Sequence, residues 1–183
     1  MEIVDFNRDF ISFLDNEDIF LDTGVLLGLL NPFDSWHSTV KSFFDNYVFE
    51  NDNLILYVHS AIVNELTHLA YKPIEKYAQI MDEYKVSEKE INNSIKTTID
   101  QIYKLIDNDV LILLESTKKS VLNQILFSQP FGSVDALSIS LINEYGISFM
   151  TVDNRLAEQA CRYKNKLLNI NRIYYTLPYS RSY

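Results

Sequence analysis

Four acidic residues stand where an α/β protein could put them to chemical use. Asp22 closes the apolar run that opens IFLDTGVLLGLL, and Asp153 follows SFMTV in ISFMTVDNRLAEQA. Glu65 lies in VHSAIVNELTHLA and Asp135 in GSVDALSISLINEYG. Ligands of open parallel sheets bind outside the carboxyl ends of the strands, which is where Asp22 and Asp153 fall if their runs are strands. Each acid also has an ordinary explanation. Asp135 suits a first helical turn through the helix dipole, and Asp153 suits a helix N-cap. Glu65 can be a solvated helix residue and Asp22 a strand-end turn former. Four converging carboxylates would repel one another, and hard divalent cations that take oxygen ligands, Mg²⁺ or Mn²⁺, relieve that repulsion. The chemistry expected of such a cluster is metal-assisted hydrolysis of a phosphodiester.

Other chemistries fit the residues less well. Asp22-Thr23-Gly24 is the triplet of aspartic proteases, but their all-β folds need many turns, and this chain has only four Gly and four Pro. A phosphatase with a strand-end aspartate nucleophile wants a second acid two residues on, where Gly24 stands. Glu65-x-x-His68 is a single copy of a pair that di-iron bundles use twice, so His68 reads as a supporting or partly buried helix residue. His37 and His59 have no zinc-ligand spacing with Cys161. No G-x-S-x-G, P-loop or G-x-G-x-x-G occurs.

The elements that must position the acids are short, continuously apolar runs: 19–21, 54–58, 110–114, 148–152 and 167–170 (LLNI). Such runs suit a parallel sheet buried on both faces. Helical patterns lie between them. Thr39 to Phe49 spaces Val40, Phe43, Phe44, Tyr47 and Val48 on one side. Residues 87–107 carry Ile91, Ile95, Ile99, Ile102 and Ile106 in one stripe, with Ser87 as N-cap. Gly132 and Ser133 mark a helix start, and Gly24 reads as a tight entry to the first helix. Alternating strands and helices predict α/β architecture, a three-layer α/β/α sandwich around a short central parallel sheet. One domain is expected over 19–170, preceded by an acidic leader (1–18) and followed by a Tyr/Arg tail (171–183).

Composition sets the frame. At 183 residues, 47% apolar and 13% aromatic, the chain can bury a sizeable core. No stretch approaches the length of a membrane span. A single cysteine and an acid-bearing N-terminus point to a cytoplasmic protein. The net charge of −9 argues against nucleic-acid binding by overall charge, yet it is unevenly spread. Residues 155–183 hold six basic side chains against Glu158, whereas the rest is strongly acidic. Arg155, two residues past Asp153, is placed by the site itself for phosphate contact. Phe43, Phe44 and Tyr47 read as core or as the surface of a homodimer. In the tail, Tyr174, Tyr175, Tyr179 and Tyr183 beside Arg172 and Arg181 could stack on single-stranded RNA or pack on the domain.

The segments IFLDTGVLLGLL, VHSAIVNELTHLA, GSVDALSISLINEYG and ISFMTVDNRLAEQA, in that order, resemble the four acidic motifs of PIN-domain ribonucleases, including VapC-type toxins. The resemblance runs from about residue 19 to 170. It implies that Asp22, Glu65, Asp135 and Asp153 are the catalytic, Mg²⁺- or Mn²⁺-binding acids, with Thr23 and Thr151 as polar supports. It also implies an RNA substrate and, for a toxin, an antitoxin partner. The alternative is a PIN-like scaffold that keeps the acids without catalysis and docks a basic partner on its acidic surface and long central helix.

Overall fold

The computed structural model describes residues 1–80 and 86–177. One all-parallel sheet of six strands runs through it: β1 (Glu2–Asp5), β2 (Asp18–Leu21), β3 (Ile55–His59), β4 (Leu111–Leu114), β5 (Ser148–Met150) and β6 (Arg172–Tyr175). Their spatial order is β1-β6-β5-β2-β3-β4. The central strands are buried on both faces, with Ile19, Phe20, Leu21 and Phe149 fully enclosed, which is why their sequences are apolar without alternation.

The helices are α1 (Thr23–Leu30), α2 (His37–Phe43), α3 (Ser60–Leu69), α4 (Lys72–Ile80), α5 (Glu88–Asp107), α6 (Lys118–Phe131), α7 (Ser133–Tyr145) and α8 (Asn154–Arg162). Two groups form, α1 to α5 packing among themselves and α6 packing on α7 and α8. The result is an α/β/α sandwich, as the alternation of patterns requires.

Several expectations are met in detail. Ser87 caps α5 with a complete capping box, its hydroxyl and the Glu90 carboxylate each serving the other's backbone N–H. Gly132 adopts φ +87° between α6 and α7, a conformation that favours glycine. The pattern over 39–49 is helical, although it divides into α2 and a single π-helical turn at Phe44–Val48. Phe43 and Phe44 are core, and Tyr47 stays half exposed.

Three readings need correction. The run 167–170 is not a strand. Leu167 and Ile170 are buried three residues apart while Leu168 is exposed, the spacing of a turn that drops two anchors into the core. The sixth strand is Arg172–Tyr175 instead, and it pairs with β1 in parallel register, Ile3 opposite Ile173. Both end segments therefore contribute strands to the sheet. In α5 the fully buried positions are Ser94, Thr98 and Ile102; of the isoleucine stripe Ile102 is among them, Ile91, Ile95 and Ile106 are half-buried, and Ile99 is exposed. The small hydroxyl residues let α5 approach α1 and α3. There Thr98 bonds the Ser94 carbonyl, and buried Asn31 joins the Ala70 carbonyl to Thr98. Gly24 lies inside α1 rather than in a turn, and a Cβ there would come within 2.7 Å of Val152 Cγ2. Close approach of α1 to the β5–α8 loop is what demands glycine.

Residues 6–17 fold back along α2, where Phe6, Phe10 and Phe13 pack on Phe43 and Tyr174 with ring centroids 4.9–5.9 Å apart for the closest pairs. Buried Glu17 locks this segment to the sheet. It accepts hydrogen bonds from Ser148 Oγ, from Tyr174 Oη at 2.7 Å and from the Leu14 N–H at 2.8 Å. Burial and the neighbouring Glu17 carboxylate push the Tyr174 hydroxyl well above its ordinary pKa, so it stays a donor. Tyr174 thus packs on the domain. Tyr179, Arg181 and Tyr183 of the tail reading lie outside the described residues.

Candidate active site

From β2 the chain builds outward through β3 to β4, then returns to the other side of β2 for β5. The reversal falls between β2 and β5, and the crevice outside their carboxyl ends is where such sheets hold ligands. Asp22 directly follows β2, and Asp153 follows β5 by three residues.

Asp22 is 6% exposed and tightly held. Its backbone N–H donates to the Met150 carbonyl at 3.1 Å. Its Oδ1 accepts from the Thr23 N–H at 2.8 Å, and its Oδ2 accepts from Thr151 Oγ1 at 2.7 Å. Thr151, fully buried, turns its lone pair to the Asp153 N–H at 2.9 Å. Thr23 Oγ1 donates to Glu65 Oε2 at 2.6 Å. The two threonines therefore link three of the acids: Thr151 joins Asp22 to the Asp153 backbone, and Thr23 joins Asp22 to Glu65. This linkage is the strongest support the geometry gives to reading them as one site.

Asp135, in the first turn of α7, joins them electrostatically. Burial first, then the Glu65 and Asp153 charges, raise its pKa to about 6, with the Arg155 guanidinium pulling the other way. Burial is also the main cause at Asp22, raised to about 7. The hydrogen bonds from Thr151 and Thr23 oppose the rise, and the Asp135 and Glu65 charges add to it. All four acids thus feel at least one of the others.

Asp153 also does what the plainer explanation asks. Its Oδ1 caps α8, accepting from the Arg155 and Leu156 N–H groups at 2.8 and 3.2 Å. Asp22 likewise caps α1. Arg155 lines a small crevice with Asp135, Phe131, Pro130, Leu156 and Gln159.

Among the described residues no three His, Cys, Asp or Glu side chains are already arranged to hold a metal ion. The donor chemistry nevertheless suits a hard cation: oxygen-only carboxylates, two of which have their proton affinity raised by burial and, secondarily, by the charges of the others.

Sequence reasoning missed His59. It ends β3, almost fully buried, at the same edge as Asp22. Its Nδ1 accepts the Ala61 and Ile62 N–H groups at 3.0 and 3.3 Å, capping α3. The proton must then sit on Nε2, which donates to Ser138 Oγ of α7 at 2.9 Å. Burial lowers its pKa to about 4, so the ring is neutral near pH 7. His59 thereby ties the helix that carries Glu65 to the helix that carries Asp135. The available signal was its place at a strand end, directly before a helix. His68, by contrast, is exposed in the last turn of α3 and supports nothing at the site.

No protein-family model matches the chain, and no curated protein sequence matches it. What fold and site define is a class: a parallel α/β protein with an acidic cluster at its topological switch point. No helix among the described residues is long and apolar enough to cross a membrane.

Proposed function

We propose that this chain is a divalent-metal-dependent ribonuclease of the PIN type, hydrolysing RNA phosphodiester bonds at the acidic crevice. The observation that carries the proposal is the threonine linkage of Asp22, Glu65 and Asp153 at the switch point, with Asp135 electrostatically joined to it. Asp22, Glu65, Asp135 and Asp153 would hold Mg²⁺ or Mn²⁺. The chemistry such a cation supplies when bound is activation of water and neutralisation of phosphate charge.

The chain's own residues do the positioning. Thr151 and Thr23 hold the Asp22 carboxylate in one rotamer, and Thr23 holds Glu65 facing it. Asp22 retains a proton at its carboxyl up to about pH 7 and must release it before acting as an anionic ligand. Arg155, exposed at the crevice rim, binds the phosphate of an incoming strand. The test is cleavage of a fluorescent single-stranded RNA with Mn²⁺. Wild type cuts, and Asp22→Asn and Asp153→Asn do not. Cutting by both variants at the wild-type rate removes the assignment. The same reading makes the chain the toxin of a cytoplasmic toxin–antitoxin pair, for which a short neighbouring gene encoding a small DNA-binding protein is the check.

A second reading has its own support: Asp22 and Asp153 are already engaged as helix caps. In that reading the protein is a binding module of the same fold that keeps its acids for structure. Calorimetry with Mn²⁺ separates the two, since a module without catalysis gives no binding heat at millimolar cation.

A further inference from the structure

We propose that the groove between the N-terminal segment and α2 seats an unpaired base of the RNA strand flanking the cut, an inference that rests on the ribonuclease reading for its substrate class. A cavity of about 500 Å³ opens there, within the range of small-ligand sites. Its floor is aromatic. Phe43 packs on Phe6 and on Phe10 with ring centroids 4.9 Å apart in each pair, and Tyr47 lies 5.0 Å from Phe10 and 5.4 Å from Phe43. Phe6 and Phe43 are buried, whereas Tyr47 is 49% exposed and Phe10 half-buried, so these two offer ring surface to an occupant. The walls are polar. Ser38, Ser42 and Asn46 stand four residues apart along α2 and the π-helical turn that follows it, and Asn7 and Arg8 line the cavity from the N-terminal segment.

Rings below and amides around suit a planar, polar group. Unpaired bases are held in this way, stacked on aromatic side chains and hydrogen-bonded along their edges. Asn46 donates through Nδ2 to the Ser42 carbonyl and hydroxyl at 2.8 and 3.2 Å, which fixes the amide and leaves Oδ1 to accept from a base. Asn7, whose backbone N–H is held by Asp5 Oδ1 at 3.0 Å, brings a second amide. Arg8 is the one charged residue among those lining the cavity, and its guanidinium plane suits a base face or the adjoining phosphate. The π-helical turn Phe44–Val48 supplies both Asn46 and Tyr47, and such turns concentrate at functional sites. Place agrees with chemistry. The chain turns directly after β1, where the Arg8 and Asp9 N–H groups return to the Asp5 carbonyl. Asn7 and Arg8 therefore lie at the carboxyl edge of the parallel sheet, the edge that carries Asp22 and Asp153. Only β6 and β5 separate β1 from β2, three strand spacings or about 14 Å. The groove needs residues 6–10, outside the 19–170 span of the resemblance, so it is a property of this chain.

The experiment is fluorescence anisotropy of a short labelled single-stranded RNA on the full chain in chelator, so that no metal-loaded acid contributes. Wild type binds the strand more tightly than the same sequence paired into a duplex. Tyr47→Ala weakens binding by about tenfold, and Tyr47→Phe, which keeps the ring, restores it. Asn46→Ala, a change at an exposed position, weakens binding by about fivefold and decides the matter should Tyr47→Ala fail to fold. An abasic strand of the same length binds wild type no better than Tyr47→Ala binds the base-bearing one. Binding by Tyr47→Ala and Asn46→Ala at wild-type strength overturns the proposal, and so does an abasic strand that binds as tightly as the base-bearing one. A wild type that binds through Tyr47 and Asn46 yet cuts no RNA with Mn²⁺ overturns the ribonuclease reading and supports the base site.

Discussion

Asp22 and Asp153 each hold two positions at once, helix cap and crevice acid, and the two roles separate on substitution. Asp22→Asn keeps an acceptor for the Thr23 N–H, so the fold should survive while RNA cleavage falls at least roughly 100-fold; thermal melts and cleavage on the same preparation check both halves. Thr151→Val removes the bond to Oδ2 and the support for the Asp153 N–H, with an expected loss of about tenfold in Mn²⁺ affinity, read by calorimetry. The pH dependence has a definite sign. An unfolded aspartate releases its proton near 4, whereas Asp22 holds it to about 7. The stability from that proton is present below pH 4 and lost as pH rises through about 7. His59, whose pKa is lowered to about 4, acts oppositely and loses stability as pH falls below its ordinary value. Because His59 is common to both proteins, melts in chelator should show wild type losing stability relative to Asp22→Asn between pH 5 and pH 8. A constant difference across that range would refute the buried proton.

Elements meet at two junctions that decide the site's shape. His59 caps α3 with one ring nitrogen and holds α7 with the other, and neither contact survives in His59→Leu. We expect a loss of about 1–3 kcal/mol in urea unfolding, together with weaker Mn²⁺ binding, because Glu65 and Asp135 lose their common reference. At the second junction, α1 meets the β5–α8 loop through Gly24. Gly24→Ala drives a methyl into Val152 and should cost about 1–3 kcal/mol. Val152→Ala should restore much of that loss, and a double-mutant cycle measures the coupling.

Across the molecule, residues far apart in the chain close the sheet. Glu17 reaches Ser148 and Tyr174, and β1 covers β6. Removing residues 1–17 strips a strand and the Phe6, Phe10 and Phe13 cluster from α2, baring β6 as an open edge. The truncated chain is expected to aggregate, which light scattering would report. Glu17→Leu removes the acceptor of the Ser148 and Tyr174 hydroxyls and of the Leu14 N–H, at roughly 2–4 kcal/mol together.

Local pattern alone determined most of the architecture. Continuous apolar runs, helical periodicity, Ser87 and Gly132 are short-range signals of backbone preference and burial, so α/β alternation, the strands bearing Asp22 and Asp153, and the helices bearing Glu65 and Asp135 were all legible. Their order also made a common edge expected, since parallel strands end on one side. Tertiary structure decided what depends on distant partners. Arg172–Tyr175 became a strand because Glu2–Asp5 pairs with it, whereas 167–170 turned inward to seat two side chains. On α5 two small hydroxyl residues, Ser94 and Thr98, are buried alongside Ile102 of the stripe, because close helix approach rewards lack of bulk as well as hydrophobicity. Which oxygen each threonine serves, and why His59 must stay neutral, arise from groups up to 129 positions apart in sequence. Such bonds exist only once burial has removed water as the competing partner.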